Sequence, residues 1–217
     1  MTRLLLSAEL NAYAERYTSP ETQVLAALNR ETNVKRSDSV MLSGHLQGAI
    51  LSMLSHMIKP GRILEIGTYT GYSAICLAAG LPADGILHTI DIDEELYDIA
   101  DKYITRAGLR SNIVQHTGKA VDIIPSLAEQ FDLVFIDADK ANYSVYYDIV
   151  FDKVPVGGYI IADNVLYDGE VILPVNQQGR NARAIHSFNE KVLADERVER
   201  VLMPVRDGLM VMRKLKG

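Results

Sequence analysis

From Arg62 onward, short apolar runs alternate with segments of helical periodicity, and this alternation constrains the fold more than any other feature of the chain. The runs are 63–66, 86–92, 113–116, 133–136 and 159–162; helical patterns follow at 72–79, 94–107, 120–129 and 143–151. A strand, a helix and a second strand running the same way form a crossover, and repeated crossovers build a parallel sheet covered on both faces. Unbroken apolar strands such as Leu133-Val134-Phe135-Ile136 suit that double cover. Residues 181–195 read as one more helix. Beyond it, the runs 198–204 and 209–214 flank Val205-Arg206-Asp207-Gly208, which predicts an antiparallel hairpin at the sheet edge.

Ahead of this α/β core, 7–17 and 21–34 predict two helices, and 43–58 predicts a third with Ser43 as its cap. Leu46, Ile50, Met53, Leu54 and Met57 form an apolar stripe on the third helix, and its methionines are expected in the core. Pro60-Gly61 then breaks the chain. No repeat or low-complexity linker intervenes, so the 217 residues are expected to form a single domain, with 1–58 as a helical cover and 62–217 as the core. Residues 1–6 are too short an apolar stretch for a secretory leader or a membrane span. The lone cysteine, Cys76, has no intrachain partner and fits a reducing compartment, with the cytoplasm as the default. A formal net charge of −6 opposes general nucleic-acid binding; Arg30, Lys35 and Arg36 are the one local basic patch.

Ligands of open α/β sheets bind beyond the carboxyl ends of the strands. The first such stretch, Leu64-Glu65-Ile66-Gly67-Thr68-Tyr69-Thr70-Gly71-Tyr72-Ser73, spaces its glycines Gly-x-x-x-Gly. That spacing lets the backbone approach a ligand but lacks the three-glycine dinucleotide pattern, which disfavours a nicotinamide cofactor. The next strand ends in Asp91, whose carboxylate can accept hydrogen bonds from both hydroxyls of a ribose. A plain turn and a helix-capping aspartate are the bland alternatives; with a strand before each, the pair describes a nucleoside site. Glu65 is placed to hold a ligand's amino group.

The fourth and fifth runs end in Asp137-Ala138-Asp139-Lys140 and Asp163-Asn164. Adjacent parallel strands would bring Asp137, Asp163 and Asn164 together, an all-oxygen set that selects Mg²⁺, Mn²⁺ or Ca²⁺ over zinc or copper. Three protein ligands leave positions for two vicinal substrate oxygens. Lys140, three residues past Asp137, is close enough to remove a hydroxyl proton; a solvated lysine in a polar loop is the competing reading.

At these residues the sequence resembles the cation-dependent O-methyltransferases, which include animal catechol O-methyltransferase, plant caffeoyl-coenzyme A O-methyltransferases and many small bacterial relatives. The likeness runs from about Met41 to Lys214. It implies the class I methyltransferase fold, a Rossmann-like α/β architecture of seven mostly parallel strands with the last reversed, helices on both faces and extra N-terminal helices. The reaction it implies is methyl transfer from S-adenosylmethionine to a hydroxyl of a catechol-like or hydroxycinnamate small molecule.

By the same resemblance, Asp137, Asp163 and Asn164 hold Mg²⁺ (or Mn²⁺ or Ca²⁺) and Lys140 is the base. Glu65, Gly67, Thr68, Tyr69, Gly71, Ser73, Asp91, Ile92 and Asp137 contact S-adenosylmethionine, with Met41 and Ser43 near its methionine end and Gly118, Lys119 and Ala120 beside the adenine. Asn142 and Tyr143 also match the family pattern. The chain lacks the tryptophan that often flanks the catechol; Tyr167 stands in a comparable place, joining Lys140, Asn164 and Arg206 around the substrate. Residues 168–181 read as a mobile rim; Arg180, Arg183 and Arg206 are candidate rim charges able to favour a substrate carboxylate, with ordinary solvated arginines as the preferred reading. Two other functions are weighed: methylation of a hydroxylated wobble uridine in tRNA, and a catalytically inactive nucleoside-binding protein. Family members are often homodimers, and the N-terminal helices are candidates for that interface.

Overall fold

The computed structural model describes residues 7–217, and the reading of 1–6 as too short for a leader falls outside them. Seven strands form one sheet: β1 (Arg62–Ile66), β2 (Ile86–Asp91), β3 (Ile113–Thr117), β4 (Leu133–Ile136), β5 (Tyr159–Ala162), β6 (Val198–Met203) and β7 (Leu209–Lys214). Their order is β3-β2-β1-β4-β5-β7-β6. The first five strands are parallel, and β7 runs antiparallel between β5 and β6. The hairpin is therefore formed as expected, with β6 rather than β7 at the edge. Its turn closes through the Gly208 N–H donating to the Val205 carbonyl at 2.8 Å, with Arg206 at φ 50°.

Among the described residues eight α-helices surround the sheet: α1 (Ala8–Arg16), α2 (Gln23–Lys35), α3 (Gly44–Ile58), α4 (Tyr72–Ala78), α5 (Tyr97–Arg106), α6 (Ala120–Ile123), α7 (Tyr143–Phe151) and α8 (Arg180–Ala194). One buried cluster packs α7 and α8 on one face through Tyr143, Tyr147 and Phe188; the other packs α2 to α5 on the opposite face through Leu28, Leu51 and Tyr103. Two helices are shorter than their patterns. Pro125 ends α6 in a 3₁₀ turn, because proline lacks the N–H that a continuing helix requires. Ahead of α5, Glu94–Leu96 forms a 3₁₀ turn on which Asp93 accepts the Glu95 N–H at 3.0 Å. No helix among the described residues is long and apolar enough to cross a membrane.

The third helix presents a different face from the one expected. It buries Gln47, Gly48, Leu51 and Ser55, while Met53 and Met57 are 63% and 73% exposed. The reason is close helix packing through small residues. A Cβ on Gly48 would stand 2.6 Å from the Tyr72 ring, and the Ser55 hydroxyl donates to the Leu77 carbonyl at 2.6 Å, so α3 lies against α4 along its small-residue seam. Ser43 precedes the helix but makes no capping bond, being already in helical geometry.

Backbone pairing continues one residue beyond the strands, and this seats the site. The N–H of Asp137 donates to the Ile66 carbonyl at 2.8 Å, and that of Asp163 to the Ile136 carbonyl at 3.0 Å. Gly67, one residue beyond β1 and on the other side of Asp137 from Asp163, has φ 104°, and a Cβ there would lie 2.0 Å from the Asp137 carbonyl oxygen. Gly67→Ala is therefore expected to destabilise the fold by on the order of 3 kcal/mol or more, through overpacking and a disfavoured dihedral. Chemical denaturation measures this, and a loss below about 1 kcal/mol would show that the loop relaxes freely.

Candidate active site

The carboxyl ends of β1, β2, β4 and β5 open into a cavity of about 1010 Å³. Of the residues expected around the cofactor, Met41, Ser43, Gly67, Thr68, Tyr69, Ser73, Asp91, Ile92, Gly118, Lys119, Ala120 and Asp137 line it. Two do not. Gly71 begins α4 and backs onto Ala100, and Glu65 is fully buried beneath the loop. Lys140, Asp163, Asn164, Tyr167 and Arg206 also face the cavity.

Asp91 is engaged by its own chain: Oδ2 accepts the N–H groups of Thr68 and Tyr69 at 3.0 and 2.8 Å, and Oδ1 accepts that of Asp93 at 2.9 Å. It thereby fixes the glycine loop against β2, a task the sequence did not reveal. Glu65 pairs in register with Thr89, whose hydroxyl donates to Oε2 at 2.6 Å, while Oε1 has no hydrogen-bond partner. Burial raises this carboxyl to about 8, against the opposing effect of the Ser73 and Thr89 hydroxyls. An ammonium group would satisfy the orphaned oxygen and reverse the burial effect, so the residues present fit the amino end of S-adenosylmethionine.

At the β4 and β5 tips, Asp163 is 3% exposed and rises to about 7, through burial first and the neighbouring Asp137 carboxylate second. The Asp137 and Asp163 carboxyls, with Asn164 next in the chain, are hard oxygen donors, and a divalent cation among them would relieve the effect of Asp137 on Asp163. Among the described residues no three His, Cys, Asp or Glu side chains converge. Asn164 itself sits at φ 56°. Tyr69, Tyr167, Asp168 and Arg206 share the left-handed conformation, and all five line the cavity. Such strain is tolerated where the surroundings over-determine it, most often at functional sites.

Lys140 donates to Asp137 Oδ1 and to the Tyr143 hydroxyl, both at 2.9 Å. Tyr143 is fully buried and in turn donates to the Asp163 carbonyl at 3.0 Å. Burial alone would lower the Lys140 ammonium, but the Asp137 carboxylate and Tyr143 outweigh it and hold it well above the usual lysine range. In this state Lys140 is an ammonium, and Tyr143 is the anchor between it and the β5 tip. Gln47 was missed from sequence: its Nε2 donates to Asp163 Oδ2 at 2.5 Å. Beyond Lys140, Asp139 accepts hydrogen bonds from Tyr146 and from Asn142, the latter at 2.6 Å.

Of the three expected rim arginines, only Arg206 faces the cavity, and it donates to the Leu42 carbonyl at 2.9 Å. Arg180 starts α8, and Arg183 donates to the carbonyls of Val175 and Gln178 in the loop before α8, which need donors. That loop carries 3₁₀ turns at Tyr167–Ile172 and Val175–Gln177. Of the basic patch, Lys35 pairs with Glu31 and Arg36 with Asp38.

This sheet order, with a glycine loop after β1 and an acid after β2, defines a class I methyltransferase. The family profile described as O-methyltransferase matches residues 15–215, and the chain belongs to that family. Relatives include caffeoyl-CoA O-methyltransferase 1 of Zea mays, 36% identical over 198 residues with 86% of this chain and 77% of that protein covered. Caffeoyl-CoA O-methyltransferase 5 of Nicotiana tabacum is 34% identical over 197 residues, covering 86% and 82%. Among solved structures, the O-methyltransferase TomG of Streptomyces achromogenes in complex with SAM superposes with a TM-score of 0.88 at 26% identity over 100% of both chains. A Bacillus cereus O-methyltransferase in complex with SAH gives 0.84 at 31% identity over 95% and 97%. The protein is an S-adenosylmethionine-dependent O-methyltransferase.

Proposed function

We propose that this enzyme methylates one hydroxyl of a catechol-like or hydroxycinnamate small molecule, with a divalent cation held by Asp137, Asp163 and Asn164. The observation that carries the reading is the chain of contacts from Asp137 through Lys140 and Tyr143 to the tip of β5. It ties the Asp137 carboxylate and the Lys140 amine to the backbone of Asp163 at one end of the cavity, which supports a common role for them.

The cation, Mg²⁺ by its hard oxygen donors or else Mn²⁺ or Ca²⁺, supplies a charge that acidifies and orients a pair of neighbouring hydroxyl oxygens. S-adenosylmethionine supplies an electrophilic methyl group. Lys140 takes the acceptor's proton at Nζ. Its readiness depends on Asp137, because a carboxylate engaged elsewhere no longer holds the ammonium form. Tyr143 keeps Nζ in place as that pairing weakens, and the cavity walls hold the oxygen in line with the methyl group.

Glu65 receives the methionine ammonium, Gly67 to Ser73 wrap that end of the cofactor, Asp91 and Ile92 receive the ribose, and Gly118 to Ala120 flank the adenine. Tyr167, held by a hydrogen bond from Asn181 at 3.1 Å, covers the acceptor ring, with Arg206 at the rim. We assign the whole chain to one domain. The buried thiol of Cys76 supports the cytoplasm as its compartment. Leu10, Tyr13 and Tyr17, more than half exposed along α1, support pairing of two copies through the N-terminal helices.

Thorough chelation is expected to abolish product formation, and added Mg²⁺ to restore it. Methylation that persists in chelator overturns the cation reading. Protocatechuate, caffeate, caffeoyl-coenzyme A and dopamine, with products read by mass and methyl position, define the acceptor. Cofactor binding without turnover on any acceptor would instead indicate a nucleoside-binding protein.

A further inference from the structure

The chain of contacts around Asp163 has a member that no catalytic step uses. Gln47 lies on α3, 116 residues earlier in the chain, and is 1% exposed. Burying an amide on the packed face of a helix is unfavourable unless its polar atoms find partners, and an apolar side chain would fill the same space without that demand. Its Nε2 reaches Asp163 Oδ2 at 2.5 Å, while the backbone N–H of Asn164 reaches Oδ1 at 2.7 Å. One donor on each oxygen fixes the plane of the carboxylate. Each oxygen still keeps a lone-pair direction for a further partner. The close approach of α3 to α4 at Gly48 brings the amide within reach.

We propose that Gln47 is a positioning residue for the cation site, holding the Asp163 carboxylate in its ligating orientation before an ion arrives. The inference rests on the reading that Asp137, Asp163 and Asn164 hold a cation. Partners that orient a metal ligand change metal affinity by about 10–100-fold when removed. A helix of the N-terminal cover is thereby part of the ion site, although it supplies no ligand.

The test measures Mn²⁺ binding by electron paramagnetic resonance, without acceptor, on the full chain. Gln47→Met keeps the side-chain length and removes the donor. Its Mn²⁺ dissociation constant is expected to rise about 10–100-fold, with S-adenosylmethionine affinity in chelator unchanged. Gln47→His, which retains a ring N–H, is expected to recover most of the loss. A purely packing role would lower the melting temperature in chelator and leave Mn²⁺ affinity alone.

Wild-type affinity in folded Gln47→Met overturns the inference and leaves the cation reading standing. A wild-type protein that binds no Mn²⁺ overturns both. Should Gln47→Met fail to fold, nuclear magnetic resonance of the wild-type Gln47 side-chain amide decides: stoichiometric Mn²⁺ is expected to broaden its signal beyond detection and Mg²⁺ to shift it. A signal indifferent to both ions overturns the inference.

Discussion

Replacing Lys140 with methionine is expected to lower turnover by about 10²–10⁴-fold while S-adenosylmethionine binds as before. The side chain is of similar length, so the loss isolates the amine. Two further signs separate a base from a packing residue. Cation affinity is expected to rise, because the ammonium that competes for Asp137 Oδ1 is gone. The rate is also expected to recover partly at high pH, where hydroxide ionises the acceptor without a protein base. Turnover within a few-fold of wild type would reassign Lys140 to an ion-pair role.

The second large effect concerns stability and pH. The Glu65 carboxyl stands at about 8 in the folded chain, against an ordinary value of 4.5 once unfolded. Between these values the native state binds the extra proton, so stability is fully present below about 4.5, falls as pH rises, and is lost above about 8. At roughly 1.4 kcal/mol for each pH unit crossed, the ligand-free enzyme should lose several kcal/mol across that window. Glu65→Gln keeps the shape and removes the titration. Denaturant midpoints at pH 6 and pH 9 should diverge for the wild type and move together in the variant, apart from a smaller slope left by Asp163. The variant should also bind S-adenosylmethionine more weakly. Equal pH dependence in the two proteins would show that Glu65 is already ionised in the apo fold.

The strands were legible because each apolar run stops at a residue that cannot continue it. β4 and β5 begin and end at the expected residues, with Asp137 and Asp163 directly beyond. Since sheet ligands gather at such tips, the placement of Asp137, Asp163 and Lys140 on the cavity was legible with them. What local pattern does not encode was missed. The periodicity of α3 admits two neighbouring faces, and only the fit of Gly48 and Ser55 against α4 selects one and turns Met53 and Met57 outward. The Gln47 contact spans 116 residues. Left-handed backbone at Tyr69, Asn164, Tyr167, Asp168 and Arg206 is invisible where no glycine marks it. The bonds from Arg183 to the Val175 and Gln178 carbonyls are likewise a tertiary fact that local pattern does not carry.

The strand order carries a consequence for biosynthesis. β7 fills the slot beside β5, with Tyr159 opposite Arg213, and β6 is joined to the sheet through β7. During translation, therefore, β5 keeps an open edge until Lys214 has left the ribosome, even though all the proposed ligands and the base have long been made. A nascent chain in that condition offers a strand-pairing template, which makes it a natural client for chaperones. Stop codons placed shortly before Leu209 should accordingly give aggregates rather than a trimmed enzyme.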